Sequence, residues 1–198
     1  MAETESIEQI PEKSVVLIEE ESGSMKDFFA HKVAITMASE GKKVVYLTSH
    51  FAEDIKSSIR TYTFTVPETF QVIDGARPGD NLLAKCTGDL CVIDPFSSLF
   101  IDRSSADLVH LFSTMREHSR KGGSFLLVSD MGVLPPQQEQ LIRALSDGVI
   151  RFMAVVEGDK IKRYMRILKM RSITPIDKLI LFTVTDEGLQ IDTRERLG

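Results

Sequence analysis

The stretch SVVLIEEESGSMKDFF, Ser14 to Phe29, reads as a strand, a loop and the start of a helix. SVVLI is a short β-branched run, and after the glutamates Phe28, Phe29, Val33, Met37 and Ala38 recur at helical spacing between Lys26 and Glu40, with Gly41 as the stop. The unit then repeats. VVYLT (Val44 to Thr48) is a second continuous apolar strand, and Ala52 to Arg60 a short helix with Thr48 or Ser49 available to cap it. Apolar strands separated by helices predict a parallel sheet covered on both faces.

The next segments extend the alternation. FQVID (Phe70 to Asp74) is a weaker strand, RPGDN a turn, and LCVID (Leu90 to Asp94) a buried strand ending in a carboxylate. Ser104 and Asp107 have the spacing of a capping box, and Leu108, Leu111, Phe112 and Met115 form the apolar face of a helix that Gly122 and Gly123 end. SFLLVSD follows as a strand, and Pro135-Pro136 opens a helix through Leu145. After Asp147-Gly148 the rhythm changes to alternating strands, turning at Glu157-Gly158-Asp159 and again at Asp186-Glu187-Gly188. The fold class expected is α/β: a three-layer fold with a mainly parallel central sheet, flanking helices and C-terminal antiparallel hairpins. Residues 11–198 make a single domain, and 1–10 a flexible arm.

Composition narrows the function classes. The chain has 198 residues, 42% hydrophobic and 27% charged, which suits a globular domain and excludes a fibrous repeat or wholesale disorder. Its net charge of −5 opposes nucleic-acid binding through bulk phosphate neutralisation, although Lys160 to Arg171 is a local basic strip. No apolar run approaches the ~20 residues of a membrane span, and MAETESIEQ lacks the basic start of a signal peptide, so the cytoplasm is the expected location. Cys86 and Cys91 read as reduced, buried thiols. The four histidines read as surface or partly buried side chains, because His110 and His118 have no metal-ligand spacing and no metal set forms around the cysteines.

An open parallel sheet binds its ligand at the carboxyl ends of its strands. Those ends offer the opening loop, Ser49-His50-Phe51, Asp94-Pro95 and Ser129-Asp130, the last as a nucleotide sensor or a helix cap. A phosphate loop runs G-x-x-x-x-G-K-[ST], in which glycines let backbone N–H groups wrap the phosphates, Lys neutralises them and the hydroxyl holds magnesium. Aligning Lys26 with the lysine puts Glu20 and Met25 at the two glycines and Asp27 at the hydroxyl, with Gly23 and Ser24 remaining in the loop.

In order along the chain, the degenerate loop, VVYLTS, CVIDPFSSLF, LLVSD, LSDGVIRF, RILKMRSI and VTDEGLQI resemble the RecA-like ATPases, specifically their KaiC-like branch. The resemblance implies a RecA-type core that assembles side by side, as a homo- or hetero-oligomer of such subunits, with nucleotide at each junction. It implies nucleotide contacts from Gly23, Ser24, Lys26, Asp27 and Asp94, with Asp94 and Asp27 as the magnesium ligands if Mg-ATP binds. It also implies that Lys169 and Arg171, two apart on a strand and so on one face, reach a neighbour's outer phosphate as an arginine finger does. The alternative for Lys160, Lys162, Arg163, Arg166, Lys169 and Arg171 is a solvated basic face. Where the family places its water-activating glutamate this chain has His50 and Phe51, with Glu53 and Asp54 a turn later, so His50 and Glu53 are the only candidates for a general base.

Charge decides between the readings. Two unit charges 4 Å apart interact by about 1 kcal/mol in water and about 4 kcal/mol at an intermediate dielectric. One or two of Glu19, Glu20 and Glu21 beside a triphosphate would lower affinity roughly ten- to a thousandfold. The first reading is thus a regulatory or assembly subunit that does not hydrolyse ATP and offers Lys169 and Arg171 to a neighbour. The second is an ATP-binding protein or slow ATPase with Lys26, Asp27 and Asp94 around Mg-ATP. The segments after LCVID and LLVSD are short and not basic, which argues against a DNA-binding recombinase.

Overall fold

The computed structural model of the chain describes residues 10–21, 23, 25–62, 65–171, 179–185 and 188–191. Most of the expected N-terminal arm, Ser24 and the Asp186-Glu187 turn lie outside the described residues. The strands are β1 (Val15–Glu20), β2 (Val44–Thr48), β3 (Phe70–Ile73), β4 (Leu90–Asp94), β5 (Ser124–Asp130), β6 (Gly148–Glu157), β7 (Lys160–Met170), β8 (Ile180–Thr185) and β9 (Gly188–Ile191). The helices are α1 (Met25–Ser39), α2 (Ala52–Thr61), α3 (Phe96–Leu99), α4 (Ser105–Arg120) and α5 (Pro136–Leu145), with a 3-10 turn at Leu82–Lys85.

Among the described residues the strands form one sheet in the order β3-β2-β4-β5-β1-β6-β7-β8-β9. Pairing is parallel from β3 through β6 and antiparallel from β6 onward. The α/β class with an antiparallel extension at one edge is therefore the fold. Because side chains alternate across a strand, β1 sends Val16 and Ile18 to one layer and Val15 and Leu17 to the other. The first layer is α1 with Ile55 and Ile59 of α2. The second is α3 and α4, through Phe96, Phe112 and Met115, with Ile142 of α5.

α1 buries Phe28, Phe29, Ala30 and His31 in succession, more than a single amphipathic face allows. The antiparallel strands cover its second side: Phe29 lies 5.5 Å from Phe152 of β6, which lies 5.7 Å from Phe182 of β8. Each such ring contributes about 1.5–3 kcal/mol of burial. The hairpins thus complete the core around α1 and hold its N-terminus at the carboxyl ends of the parallel strands.

The capping box of α4 is present, Ser104 Oγ accepting from the Asp107 N–H at 3.2 Å and Asp107 Oδ2 accepting from the Ser104 N–H at 3.0 Å. Other local expectations change. Neither Thr48 nor Ser49 caps α2: Asp74 Oδ2, from beyond β3, accepts from the Ala52 N–H at 3.1 Å, while Thr48 Oγ1 accepts from the His50 N–H. Cys86 and Cys91 are joined as a disulfide rather than held as thiols, because the 3-10 turn brings Cys86 against β4 with the two Cα atoms 5.5 Å apart.

Strand parity also separates the three glutamates. Glu19 turns towards α5, where Oε2 accepts from Arg143 Nε at 2.8 Å and Oε1 from Arg151 Nη2 at 2.6 Å. Arg143 continues to Glu139 at 2.9 Å. Glu19 is only 3% exposed, so removing it takes the carboxylate from Arg151 and leaves Arg143 with Glu139 alone. Glu19→Ala is expected to destabilise the fold by about 3 kcal/mol, read as a lower urea midpoint. A change within the ±0.5 kcal/mol typical of surface substitutions would refute the buried network.

Candidate functional site

The carboxyl ends of β1, β2, β4 and β5 meet the N-terminus of α1. Helix N-termini attract anions, because the first N–H groups lack intrahelical acceptors and carry the positive end of the helix dipole. Here the anion is internal. The buried carboxylate of Glu20 folds over the loop and Oε2 accepts from the N–H groups of Met25 at 3.0 Å and Lys26 at 3.2 Å. Gly23 passes over this carboxylate with φ +148°, and a Cβ on Gly23 would collide with it. A phosphate entering would have to displace Glu20, with the loss of two charge-assisted hydrogen bonds of roughly 1.5–3 kcal/mol each.

Lys26 is also engaged. Its ammonium lies 2.9 Å from Asp130 Oδ1 and 3.3 Å from Asp27 Oδ1, and donates to the Gly23 carbonyl at 3.1 Å. Burial works against this charge, but the hydrogen bond to Asp130 and the charges of Asp27 and Asp130 outweigh it and hold the Lys26 pKa above its usual range. Burial raises the Asp27 carboxyl, with Lys26 opposing. On the neighbouring strand Tyr46 donates its hydroxyl to Asp94 Oδ2. Burial lifts the Asp94 carboxyl to about 6 even though that hydrogen bond lowers it.

Asp27, Asp94 and Lys26 therefore share one cleft, which His50 and Asp54 also line. Glu53 instead pairs with Lys56 on the surface at 3.0 Å. Lys169 and Arg171 lie at the opposite end of the sheet, where β7 meets the start of β6. Lys169 Nζ donates to the Ala144 carbonyl at the end of α5 at 3.0 Å. Arg171 Nη2 donates to the carbonyls of Glu12 and Lys13 at 2.9 and 2.7 Å. Neither side chain can serve the cleft of its own chain. Along β7, Lys160, Arg163 and Arg166 are exposed, whereas Tyr164, Met165 and Ile167 are buried.

One residue of the cleft, His31, escapes sequence reasoning, and Asp130, read from sequence as a nucleotide sensor or helix cap, pairs with Lys26. His31 is not at the surface: it is 3% exposed, its ring lies 5.5 Å from that of Tyr46, and burial lowers its pKa to about 4. Its signal in sequence is the spacing of four from Asp27, which puts both on one side of α1. Asp130 is the main partner of Lys26, and only its position at a strand end marks it.

The residues present do not fit a magnesium triphosphate. The helix N-terminus holds a carboxylate, the lysine is neutralised from two sides, and among the described residues Asp27, Asp54, Asp94 and Asp130 outnumber the Lys26 ammonium in the cleft.

A model of the family described as KaiC ATPase matches residues 80–196, more than half of the chain. The fold is similar to that of the flagellar accessory protein FlaH from Methanocaldococcus jannaschii, with a TM-score of 0.80 over 92% of this chain and 91% of that one. The two are 17% identical, so this likeness speaks for the fold. No curated protein matches the chain by sequence.

The cleft's two buried titrating groups make opposite demands on stability. Asp94 holds its proton up to about pH 6 when folded against an ordinary value of 3.8, so its ionisation costs stability above that window and nothing below it. His31, at about 4 against an ordinary 6.5, loses stability as pH falls through nearly the same window. Asp94→Asn keeps an acceptor for Tyr46 and is expected to stabilise by about 3 kcal/mol near neutral pH, a gain that vanishes below the ordinary carboxylate value. Urea unfolding at both pH values measures it. An equal gain at both would show that burial does not strain this carboxylate.

Proposed function

The chain belongs to the KaiC ATPase family, and we propose that within it this protein is a regulatory or assembly subunit that does not hydrolyse ATP. The observation that carries the reading is the Glu20 carboxylate on the first amides of α1, where a phosphate group would bind. Lys26 adds to it, since its charge is satisfied by Asp27 and Asp130. Of the two residues expected as a general base, Glu53 is paired with Lys56 outside the cleft and only His50 lines it.

The proposed role is assembly with RecA-like subunits in the cytoplasm, Lys169 and Arg171 being offered to a neighbour's nucleotide. Their position far from their own loop supports an outward role. Their present partners are backbone carbonyls and, for Arg171, the Asp147 carboxylate at 3.8 Å, and a neighbour's phosphate would have to replace hydrogen bonds of about 1.5–3 kcal/mol each. Among the described residues no helix is long and apolar enough to cross a membrane.

The protein alone is expected to show no ATP turnover, and Lys26→Ala to change nothing. Robust hydrolysis abolished by Lys26→Ala would end the proposal in favour of a slow ATPase built on Lys26, Asp27 and Asp94. Calorimetry gives a second check. Wild type should give no heat with Mg-ATP at millimolar concentration, whereas Glu20→Gly combined with Asp27→Thr should tighten binding at least roughly tenfold by removing two charges from the cradle. Added to an active relative, Lys169→Ala and Arg171→Ala should each reduce the effect of this chain on the relative's ATPase rate.

A further inference from the structure

Cys86 and Cys91 take no part in the cleft, and their bond joins two elements that are held very differently. Cys91 lies in the middle of β4, paired with Val45 of β2 and Phe125 of β5. Cys86 follows the 3-10 turn Leu82–Lys85. The backbone donors around that turn stay within the same short segment, Leu82 donating to Asp80, Cys86 to Leu83 and Thr87 to Lys85. Side chains tie the turn down instead: Leu82 and Leu83 in the core, Lys43 Nζ on Thr87 Oγ1 at 3.5 Å, and the bond to Cys91.

The fold is compatible with either state of the pair. The bond spans a sequence separation of only five, and the stabilisation from a cross-link grows with the length of loop it closes. A reduced Cys86 has an acceptor at hand, since its Sγ lies 3.6 Å from the Leu82 carbonyl. A reduced Cys91 packs as a small apolar side chain in the strand. Access is unequal. Both residues are buried, but Cys86 stands between the exposed Lys85 and Thr87, so a partial opening of the turn uncovers it while Cys91 stays between two strands. In the cytoplasm proposed above, thiol reductants act against a disulfide, and a pair that bonds there cycles rather than persists.

We propose that Cys86–Cys91 is a reversible thiol–disulfide site whose state decides whether the turn is held against β4. A dithiol reductant attacks Cys86 Sγ as its thiolate, and Cys91 Sγ leaves and takes a proton. The second thiol of the reductant then displaces Cys86, so the protein gains two electrons and two protons and the reductant becomes a disulfide. A small disulfide reverses the exchange. The bonded turn also walls a hollow of about 340 Å³, with Leu82 and Leu83 on one side and Phe100, Arg103 and Leu111 on the other. Reduction lets the turn leave that hollow and uncovers Leu82.

The test treats the full native chain with dithiothreitol or oxidised glutathione, quenches it in acid, and counts thiols by alkylation and mass spectrometry after unfolding. Oxidised glutathione should leave no free thiol, dithiothreitol should give two without urea, and a second oxidation should remove both. Hydrogen exchange at the amides of Leu82, Cys86 and Thr87 should rise roughly tenfold on reduction, with those of Cys91 and Val92 unchanged. Cys86→Ser should show the fast exchange at Leu82 and Thr87 with or without dithiothreitol. Thiols or a glutathione adduct that persist under excess oxidised glutathione, a bond that dithiothreitol opens only in urea, or exchange at the turn that ignores the redox state would each overturn the proposal. These readouts involve no nucleotide, so their failure leaves the non-hydrolysing reading standing.

Discussion

The carboxylate of Glu20 lies on the amide groups of Met25 and Lys26, and the other groups of the site take their positions from that contact. A helix N-terminus buried without an anion or acceptor leaves unpaired donors. By supplying the acceptor from β1, the chain satisfies α1 without a ligand. The loop can then be short and closed, Gly23 can pass over the carboxylate, and Lys26 is free to turn to Asp27 and Asp130. The same atoms that would make a nucleotide cradle thereby become part of the folded core.

Two consecutive residues of β1 carry the two halves of this arrangement. Glu19 faces the α5 layer and meets Arg143 and Arg151, and Glu20 faces α1. Side chains that alternate across a strand make the division unavoidable once the register of β1 between β5 and β6 is set. A one-residue slip would bring Glu20 against two arginines and Glu19 into the loop, so the β1 register and the chemistry of the loop are one specification. The carboxylates crowded at the end of this strand are therefore each answered: Glu19 by guanidinium groups, Glu20 by amides, and Glu21 by solvent.

The parallel strands and α1, α2, α4 and α5 were legible because each is written locally, in apolar runs, helical spacing, Pro136 and the Ser104–Asp107 box. So was the location of the site, since strand ends can be read directly. What was not legible depends on distant partners. Asp74 reaches α2 from beyond β3, and Cys86 reaches β4 from the end of a 3-10 turn that no periodicity announces. His31 is buried against Tyr46 of β2, with Ile55 of α2 lining the same cleft, and nothing near His31 in sequence records that. Glu19 and Glu20, read from sequence as loop, continue β1 to its end, and the partners that make Glu19 structural lie more than a hundred residues away at Arg143 and Arg151.

Within the KaiC ATPase family this chain thus combines the inherited sheet with a loop whose donors are occupied by its own carboxylate. The most direct test is the state of the two amides themselves. Hydrogen exchange and amide chemical shifts of Met25 and Lys26, followed by NMR on the full chain, should show both amides protected without ligand and unmoved by Mg-ATP at millimolar concentration. Rapid exchange in the free protein, together with large shifts of both amides on adding Mg-ATP, would contradict the account.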